Sequence, residues 1–191
     1  MTQIKPVRLK QTRRISKQDW LNAGLDLLQS GGIEAVRVER LAAQVGVAKS
    51  GFYYHFRDRA DFHAAILDHW VALDRAPLVA IEQISDASPD EKLRRVAEVV
   101  DRNNLSRYDF AVRLWAQQDA RVRRVWGAGM KKRIGNIRNL FEELGFKGDA
   151  LEMRTRIFVA YHVTERDLFP DLSARERRQL REERLKFLLL R

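Results

Sequence analysis

One short stretch of the chain carries residue types that suit contact with the bases and phosphates of a nucleic acid. It opens with Lys49, Ser50 and Gly51. A lysine can donate to guanine or to phosphate, a hydroxyl can bond to either, and a glycine lets the backbone approach closely. These three residues are therefore candidates for contact with base edges.

Aromatic and basic residues follow at the spacing of one helical turn. Tyr53, Tyr54 and His55 carry polar atoms that suit phosphate oxygens and rings that suit thymine methyl groups. Arg59 lies just beyond them and can clamp a flanking phosphate, and Arg37 lies before the stretch, where it can add another phosphate contact. Each residue also has a structural interpretation, in which the tyrosines are half-buried and His55 is a local hydrogen-bond partner.

The elements that must position these side chains are two short helices and a turn. The pattern predicts a helix over about 38–45 and another over about 49–55, separated at Gly46, which permits a tight turn. Phe52 and Phe56 are expected in the core, because a small three-helix unit needs aromatic filling. This is the geometry of a helix-turn-helix, whose second helix offers its first residues to the major groove.

Helix signals recur along the rest of the chain. Ser16 with Asp19 forms a capping-box pattern, and similar starts occur at Ser88 and Ser173. Pro77 should kink or interrupt the fourth helix. A long helix after Asp119 has an apolar stripe that includes one charged residue; its members are Val122, Trp126, Met130, Arg133, Ile137, Leu140, Phe141 and Leu144. The sequence predicts an all-α protein of about nine helices.

Composition excludes several classes of protein. The 191 residues include no cysteine, so disulfides, a thiol nucleophile and Cys-ligated metals are excluded. The four histidines lack a compact metal-ligand spacing, and no catalytic nucleophile–base pair can be proposed. We therefore expect no cofactor, no metal and no enzymatic activity. No apolar run spans a bilayer, so we expect a cytoplasmic protein without a membrane partner.

The net charge of +10 suggests a polyanionic partner, and it is concentrated early in the chain. Residues up to Arg57 contain ten Lys or Arg against four acids, and the first 17 residues contain six Lys or Arg and no acid. Residues 1–15 are interpreted either as a flexible basic arm that follows a phosphate backbone or as a solvated tail.

The run from Leu41 to Arg59, LAAQVGVAKSGFYYHFRDR, resembles the DNA-binding domain of TetR-type transcriptional regulators. The resemblance assigns 16–76 to this domain and leaves 77–191 as a ligand-binding and dimerisation domain. It implies a homodimer that binds a near-palindromic operator and releases it when a small molecule occupies the C-terminal domain. It further implies dimerisation through the last two helices.

By position in the TetR-type pattern, Lys49, Ser50, Gly51 and Tyr54 resemble the base-facing set. The phosphate-contacting set is Tyr53, His55 and Arg59. The chain departs from the family by lacking Ser or Thr at Arg37 and Ala48, where helix caps are common. Glu39 is expected either to turn away from DNA or to accept from a cytosine amino group.

The resemblance also places a ligand pocket among the C-terminal helices. Candidate polar groups for it are Arg113, Trp115, Trp126, Arg156, Tyr161 and His162. For each residue the alternative is core packing or a structural ion pair, such as Arg113 with Asp119.

Two hypotheses from other classes stay open. The first is a small-molecule-binding helical protein whose helix-turn-helix is vestigial. The second is a binder of nucleic acid or anionic surfaces that ignores sequence and depends on the basic arm. Sequence-dependent DNA affinity separates both from a specific regulator.

Overall fold

The computed structural model describes residues 15–190, which form α-helices joined by short turns. This range holds ten α-helices, two single-turn 3₁₀ helices and no β-strand, so the all-α prediction is confirmed. The helices are α1 (Lys17–Gly31), α2 (Val38–Val45), α3 (Ser50–His55), α4 (Arg59–Leu73), α5 (Ala76–Glu82), α6 (Pro89–Asn103), α7 (Asp109–Gln118), α8 (Ala120–Glu143), α9 (Gly148–Leu168) and α10 (Ala174–Leu189). The predicted basic arm lies outside the described residues, except for Ile15.

Side-chain caps begin the helices where the sequence predicts them. Capping boxes at Ser16, Ser88 and Ser173 begin α1, α6 and α10. Asp119 accepts hydrogen bonds from the backbone N–H groups of Arg121 and Val122 at the start of α8. These bonds satisfy N–H groups that have no partner within the helix, and so fix where each helix begins.

Of the two outcomes that the sequence predicted at Pro77, a kink or an interruption, the structure has the interruption. Pro77 does not kink a continuing fourth helix but stands in the first turn of a separate helix, α5. A proline is tolerated there because its missing N–H needs no partner in the first turn. The described residues therefore contain one α-helix more than the nine expected.

A first hydrophobic core holds the N-terminal helices together and extends past the predicted boundary at residue 76. Trp20, Phe52 and Phe62 are fully buried in it, and so are Tyr108 and Val112 from the region of α7. The α7 helix thus completes the core under the helix-turn-helix. The N-terminal helices are consequently seated directly on part of the C-terminal region.

A second core lies among α6, α8, α9 and α10. Its buried members include Leu93, Phe141, Phe158, Leu185 and Leu188. The TetR-type resemblance implies dimerisation through the last two helices, but part of their apolar surface, including Phe158, Leu185 and Leu188, packs inside the protomer. A different set of apolar side chains on α9, α10 and the turn between them is exposed, namely Met153, Ile157, Leu168, Phe169, Leu180 and Phe187.

Candidate nucleic-acid interface and effector cavity

The turn between α2 and α3 fixes the direction of the third helix. Gly46 ends α2 in the left-handed conformation, with φ of +75°, which any residue with a Cβ adopts at a cost. Phe52 and Phe56 anchor the inner face of α3 and are buried, as predicted. The ring of Phe52 meets that of Trp20 edge-on, with centroids 5.7 Å apart. The inner face of α3 is therefore held rigidly, and its outer face is presented to solvent.

The outer face of α3 carries most of the predicted contact residues. Ser50 is exposed, and Tyr53 and Tyr54 are 60% and 71% exposed, although large aromatic side chains are usually buried. His55 is half-buried, with Nε2 3.4 Å from the carbonyl oxygen of Ile15. Gly51 faces inward, because a Cβ at this position would lie 3.5 Å from Trp20. This is an ordinary van der Waals distance, so the packing of α3 on α1 would also accept an alanine at this position.

An ion pair joins the first residue of this stretch to α2. Lys49 Nζ lies 2.7 Å from Glu39 Oε1, and both side chains are more than half exposed. The hydrogen bond from Lys49 lowers the pKa of Glu39. Glu39 therefore neither turns away from the interface nor stands free in this structure, since it holds Lys49 at the edge of the outer face.

The two arginines assigned to phosphate contact meet at one 3₁₀ turn, Ile33–Ala35. Arg37 Nε donates to the carbonyl oxygen of Glu34 at 2.9 Å, and Arg59 Nη2 donates to that of Ile33 at 3.3 Å. Arg59 also lies 3.5 Å from the Glu34 carboxylate. The turn thus gathers two guanidinium groups from the starts of α2 and α4.

A cavity opens among α5, α6, α8 and α9. The cavity volume is about 80 Å³, within about 560 Å³ of empty space when the open mouth is included. Its walls are mostly apolar, with Pro77, Leu78, Ile81, Val96, Val100, Ile137, Phe158 and Val159. The polar groups on its lining are Asp74, Lys132, Arg133, Asn136 and His162. An apolar pocket with a few polar groups is the usual form of a small-molecule site.

Arg133 lies at the centre of an ion-pair network beside the cavity. Its Nε donates to Asp74 at 2.5 Å, and its two terminal nitrogens donate to the two carboxylate oxygens of Asp109. Asp109 also accepts from the indole N–H of Trp70 at 3.0 Å. The network therefore connects three places: the end of α4, the start of α7 and the cavity-facing side of α8.

His162 is a neutral member of the cavity lining. Its Nδ1 lies 2.7 Å from the carbonyl oxygen of Phe158, which can only accept, so Nδ1 carries the proton. Its Nε2 then accepts from Arg184, at 3.0 Å. Burial, reinforced by the charge of Arg184, lowers the pKa of His162 to about 3. Arg184 in turn stacks 3.9 Å from the ring centre of Tyr161.

Residues 21–66 match the family model described as bacterial regulatory proteins, tetR family. This match covers α2, the turn, α3 and most of α1 and α4. The chain carries a TetR-type DNA-binding domain. The helix-turn-helix geometry of α2 and α3 agrees with this match.

Solved structures share the fold of the whole chain. AibR, solved with isovaleryl coenzyme A and operator DNA, is 18% identical with a TM-score of 0.69, covering 90% of this chain and 97% of that one. FadR from Bacillus subtilis, solved with stearoyl-CoA, is 16% identical with a TM-score of 0.65, covering 91% and 98%. A TetR-family regulator from Streptomyces coelicolor is 17% identical with a TM-score of 0.69, covering 91% and 87%. Among curated proteins, no match is found.

The residues predicted to bind a ligand do not share one site. His162 lines the cavity. Tyr161 stacks against Arg184, the residue that donates to His162. Trp115 is buried in the core beneath the TetR-type domain, and Trp126 packs against that core. Arg113 and Arg156 are exposed on the surface. Asp119, which the sequence offered as a partner for Arg113, caps α8 instead.

Sequence reasoning missed the polar lining of the cavity. Asp74, Lys132, Arg133 and Asn136 were not among the candidates. The available signal was Arg133, which falls on the apolar stripe of α8 between Met130 and Ile137. A charged residue on the buried face of a helix needs a partner, and this requirement points to a polar site.

Across residues 15–190, no group of three or more His, Asp or Glu side chains could hold a metal ion. Over the same range, no helix combines the length and the apolar character needed to cross a membrane.

Proposed function

We propose that this protein is a homodimeric transcriptional repressor whose TetR-type domains bind a near-palindromic operator and release it when a small molecule occupies the cavity. The observation that carries the proposal is the division of α3 into two faces. Its inner face is anchored by Phe52 and Phe56, and its outer face exposes Tyr53 and Tyr54. Exposed tyrosines on a rigid helix of a helix-turn-helix are suited to the major groove. Operator binding of this kind takes place in the cytoplasm.

The contact residues divide into two sets in this proposal. Lys49, Ser50 and Tyr54 contact base edges, whereas Gly51 faces α1 and makes no side-chain contact with DNA. Tyr53 and His55 contact phosphates from α3 itself. Arg37 and Arg59 contact phosphates from the 3₁₀ turn, where both side chains remain on the surface. Phosphate contacts fix the position on the duplex, and base contacts supply the sequence preference.

Dimerisation through α9 and α10 explains their exposed apolar side chains. Phe187 and Met153 are 65% and 58% exposed, and Leu180 lies on the same outer side of α10 as Phe187. Apolar groups arranged in this way on two adjacent helices mark a protein interface. Pairing with the same helices of a second copy gives a four-helix bundle, and sets two α3 helices about 34–36 Å apart, one turn of DNA.

The cavity is the effector site of the proposal. FadR and AibR were solved with coenzyme A esters whose acyl groups are apolar. The cavity of this chain has apolar walls on four helices and reaches Asp74 at the end of α4. A ligand in the cavity can shift the protein between a conformer that binds DNA and one that does not, but only by as much as the ligand prefers one of the two. The coupling free energy in such cases is ordinarily about 1–3 kcal/mol.

The proposal is tested by selection of random duplexes with the purified full chain at about 150 mM salt, which suppresses binding through phosphates alone. An inverted-repeat motif is the expected result. Recovery of duplexes without a motif would replace the proposal with a binder that ignores sequence. Absence of DNA binding would leave a small-molecule-binding protein with a vestigial helix-turn-helix.

A further inference from the structure

Arg133 is shared between the cavity and the TetR-type domain. It lines the cavity together with Asp74 and Lys132, and it bonds to Asp74 and Asp109 at the same time. One guanidinium thus serves two carboxylates. Arg133 and the two carboxylates together carry a net charge of −1, so a third anion can bind Arg133 only by displacing one of the two.

The two carboxylates are held unequally. Asp109 is 1% exposed and has a second bond from Trp70, so it is fixed in the first core. Asp74 follows the last residue of α4, and its side chain accepts a hydrogen bond from Arg133. The Asp74 side chain is 19% exposed, whereas that of Asp109 is fully buried. Burial raises the pKa of Asp74 despite the neighbouring Arg133. Asp74 is therefore the weaker partner.

We propose that the effector is an amphipathic anion, an apolar chain that ends in a carboxylate, and that its carboxylate displaces Asp74 from Arg133 and so frees the end of α4. This inference rests on the proposed function and adds the charge of the ligand and the residue that senses it. The apolar chain lies along Ile81, Val96 and Phe158. Lys132, the second cation on the lining, holds the incoming carboxylate beside Arg133.

Release of Asp74 has a direct consequence for the DNA-binding face. α4 begins at Arg59, which lies at the 3₁₀ turn, and ends next to Asp74. When Arg133 turns to the ligand, the Asp74 carboxylate, which is only 19% exposed, is left without its cation, and this is unfavourable for a mostly buried charge. The last turn of α4 then shifts or loosens in each protomer. The two TetR-type domains of the dimer are consequently no longer held at the spacing of the operator.

The first experiment compares octanoate with 1-octanol, which has the same chain length and no charge. Isothermal titration calorimetry measures binding to the full chain, and fluorescence anisotropy measures affinity for the selected operator. We expect octanoate to bind at least about tenfold more tightly than 1-octanol and to weaken operator binding about tenfold, within the usual range for coupled sites. Equal binding of the two probes, or binding of neither, overturns the inference.

The second experiment removes the competing carboxylate with Asp74→Asn. We expect octanoate to bind about fivefold more tightly, the unliganded protein to bind operator more weakly, and octanoate to change operator affinity by about twofold or less, because the released conformer is already populated. The matched control is Asp68→Asn, which removes an exposed carboxylate from the same helix. Identical behaviour of the two variants contradicts the role of Asp74.

A third variant keeps the inference testable if Asp74→Asn does not fold. Lys132→Met removes the cation that is exposed at the cavity, and Lys131→Met removes its exposed neighbour, which does not line it. Only Lys132→Met should abolish the preference for octanoate over 1-octanol. If the duplex selection finds an operator but these variants fail as described, the proposed function stands and this inference falls. If it finds none, octanoate selectivity and its loss in Lys132→Met still test the ligand chemistry.

Discussion

Lys49 and Glu39 face each other across the turn of the helix-turn-helix, with 2.7 Å between the ammonium nitrogen and a carboxylate oxygen. The pair is exposed, so it adds little to folding stability. Its importance is for recognition, because Glu39 holds the lysine that precedes α3 at a defined place and partly cancels its charge. Binding of DNA must either break this pair or use both groups together.

Glu39→Gln tests the two possibilities. We expect affinity for all duplexes to rise about fivefold at low salt and its salt dependence to steepen, because Lys49 is then free to release counterions from phosphate. Glu82→Gln on α5 changes the net charge equally, far from the turn, and should leave affinity nearly unchanged. If Glu39→Gln instead lowers affinity for the operator alone, Glu39 takes part in base recognition.

Tyr54→Ala and Arg59→Ala should fail in different ways. Loss of the Tyr54 ring should reduce the preference for operator over random DNA by about 1–3 kcal/mol. Loss of Arg59 should weaken binding to every duplex alike and reduce the salt slope by about one. Arg75→Ala, an exposed arginine after α4, serves as the control. Equal losses on operator and random DNA for both variants would contradict the division into base and phosphate contacts.

Phe187→Glu should convert the protein into a monomer. The substitution places a charge in the apolar centre of the proposed bundle, where it has no partner. Phe110→Glu, on α7, replaces a phenylalanine that is 50% exposed but lies outside the α9 and α10 face, so it should remain dimeric. Light scattering after size-exclusion chromatography measures both masses. Dimers of both variants would place the interface elsewhere.

Acid should destabilise the fold in part through His162. The pKa of His162 is about 3 in the folded protein, whereas the ordinary value for histidine is 6.5. As the pH falls below 6.5, the unfolded chain therefore binds a proton before the folded protein does. The contribution to the free energy of unfolding is therefore present above about pH 6.5 and is lost by about 1.4 kcal/mol for each pH unit below it, until the folded pKa is reached. Urea unfolding between pH 7 and 4 should show a shallower decline for His162→Gln than for the original protein. Parallel declines would show that His162 is not buried in its neutral form.

The helix-turn-helix follows closely from local sequence. Glycine at the α2 stop, aromatic residues at the spacing of one turn and serine caps each act within a few residues. For this reason the bounds of α2 agree with the prediction, and Phe52 and Phe56 are buried as expected. The same local rules find the start of α8 at Asp119.

The cavity and the proposed dimer face were harder to predict, because both depend on which side of a helix faces which neighbour. Leu185 and Leu188 have the spacing of an interface stripe, yet both lie in the core of the protomer. Asp74 and Arg133 are 59 positions apart, and only the packing of α8 on the end of α4 brings them together. The helical spacing of apolar residues identifies the apolar face of a helix, but it does not identify the element that packs on that face.

The first core has a spectroscopic consequence. All four tryptophans of the chain lie in it or pack against it, whereas the aromatic rings of the second core are those of phenylalanines. Indole emission therefore reports on the half of the molecule that carries the helix-turn-helix, and circular dichroism reports on both halves. Denaturant curves that coincide for the two signals would mean that the protomer melts as one cooperative unit; separated curves would give the stability of each half without any label.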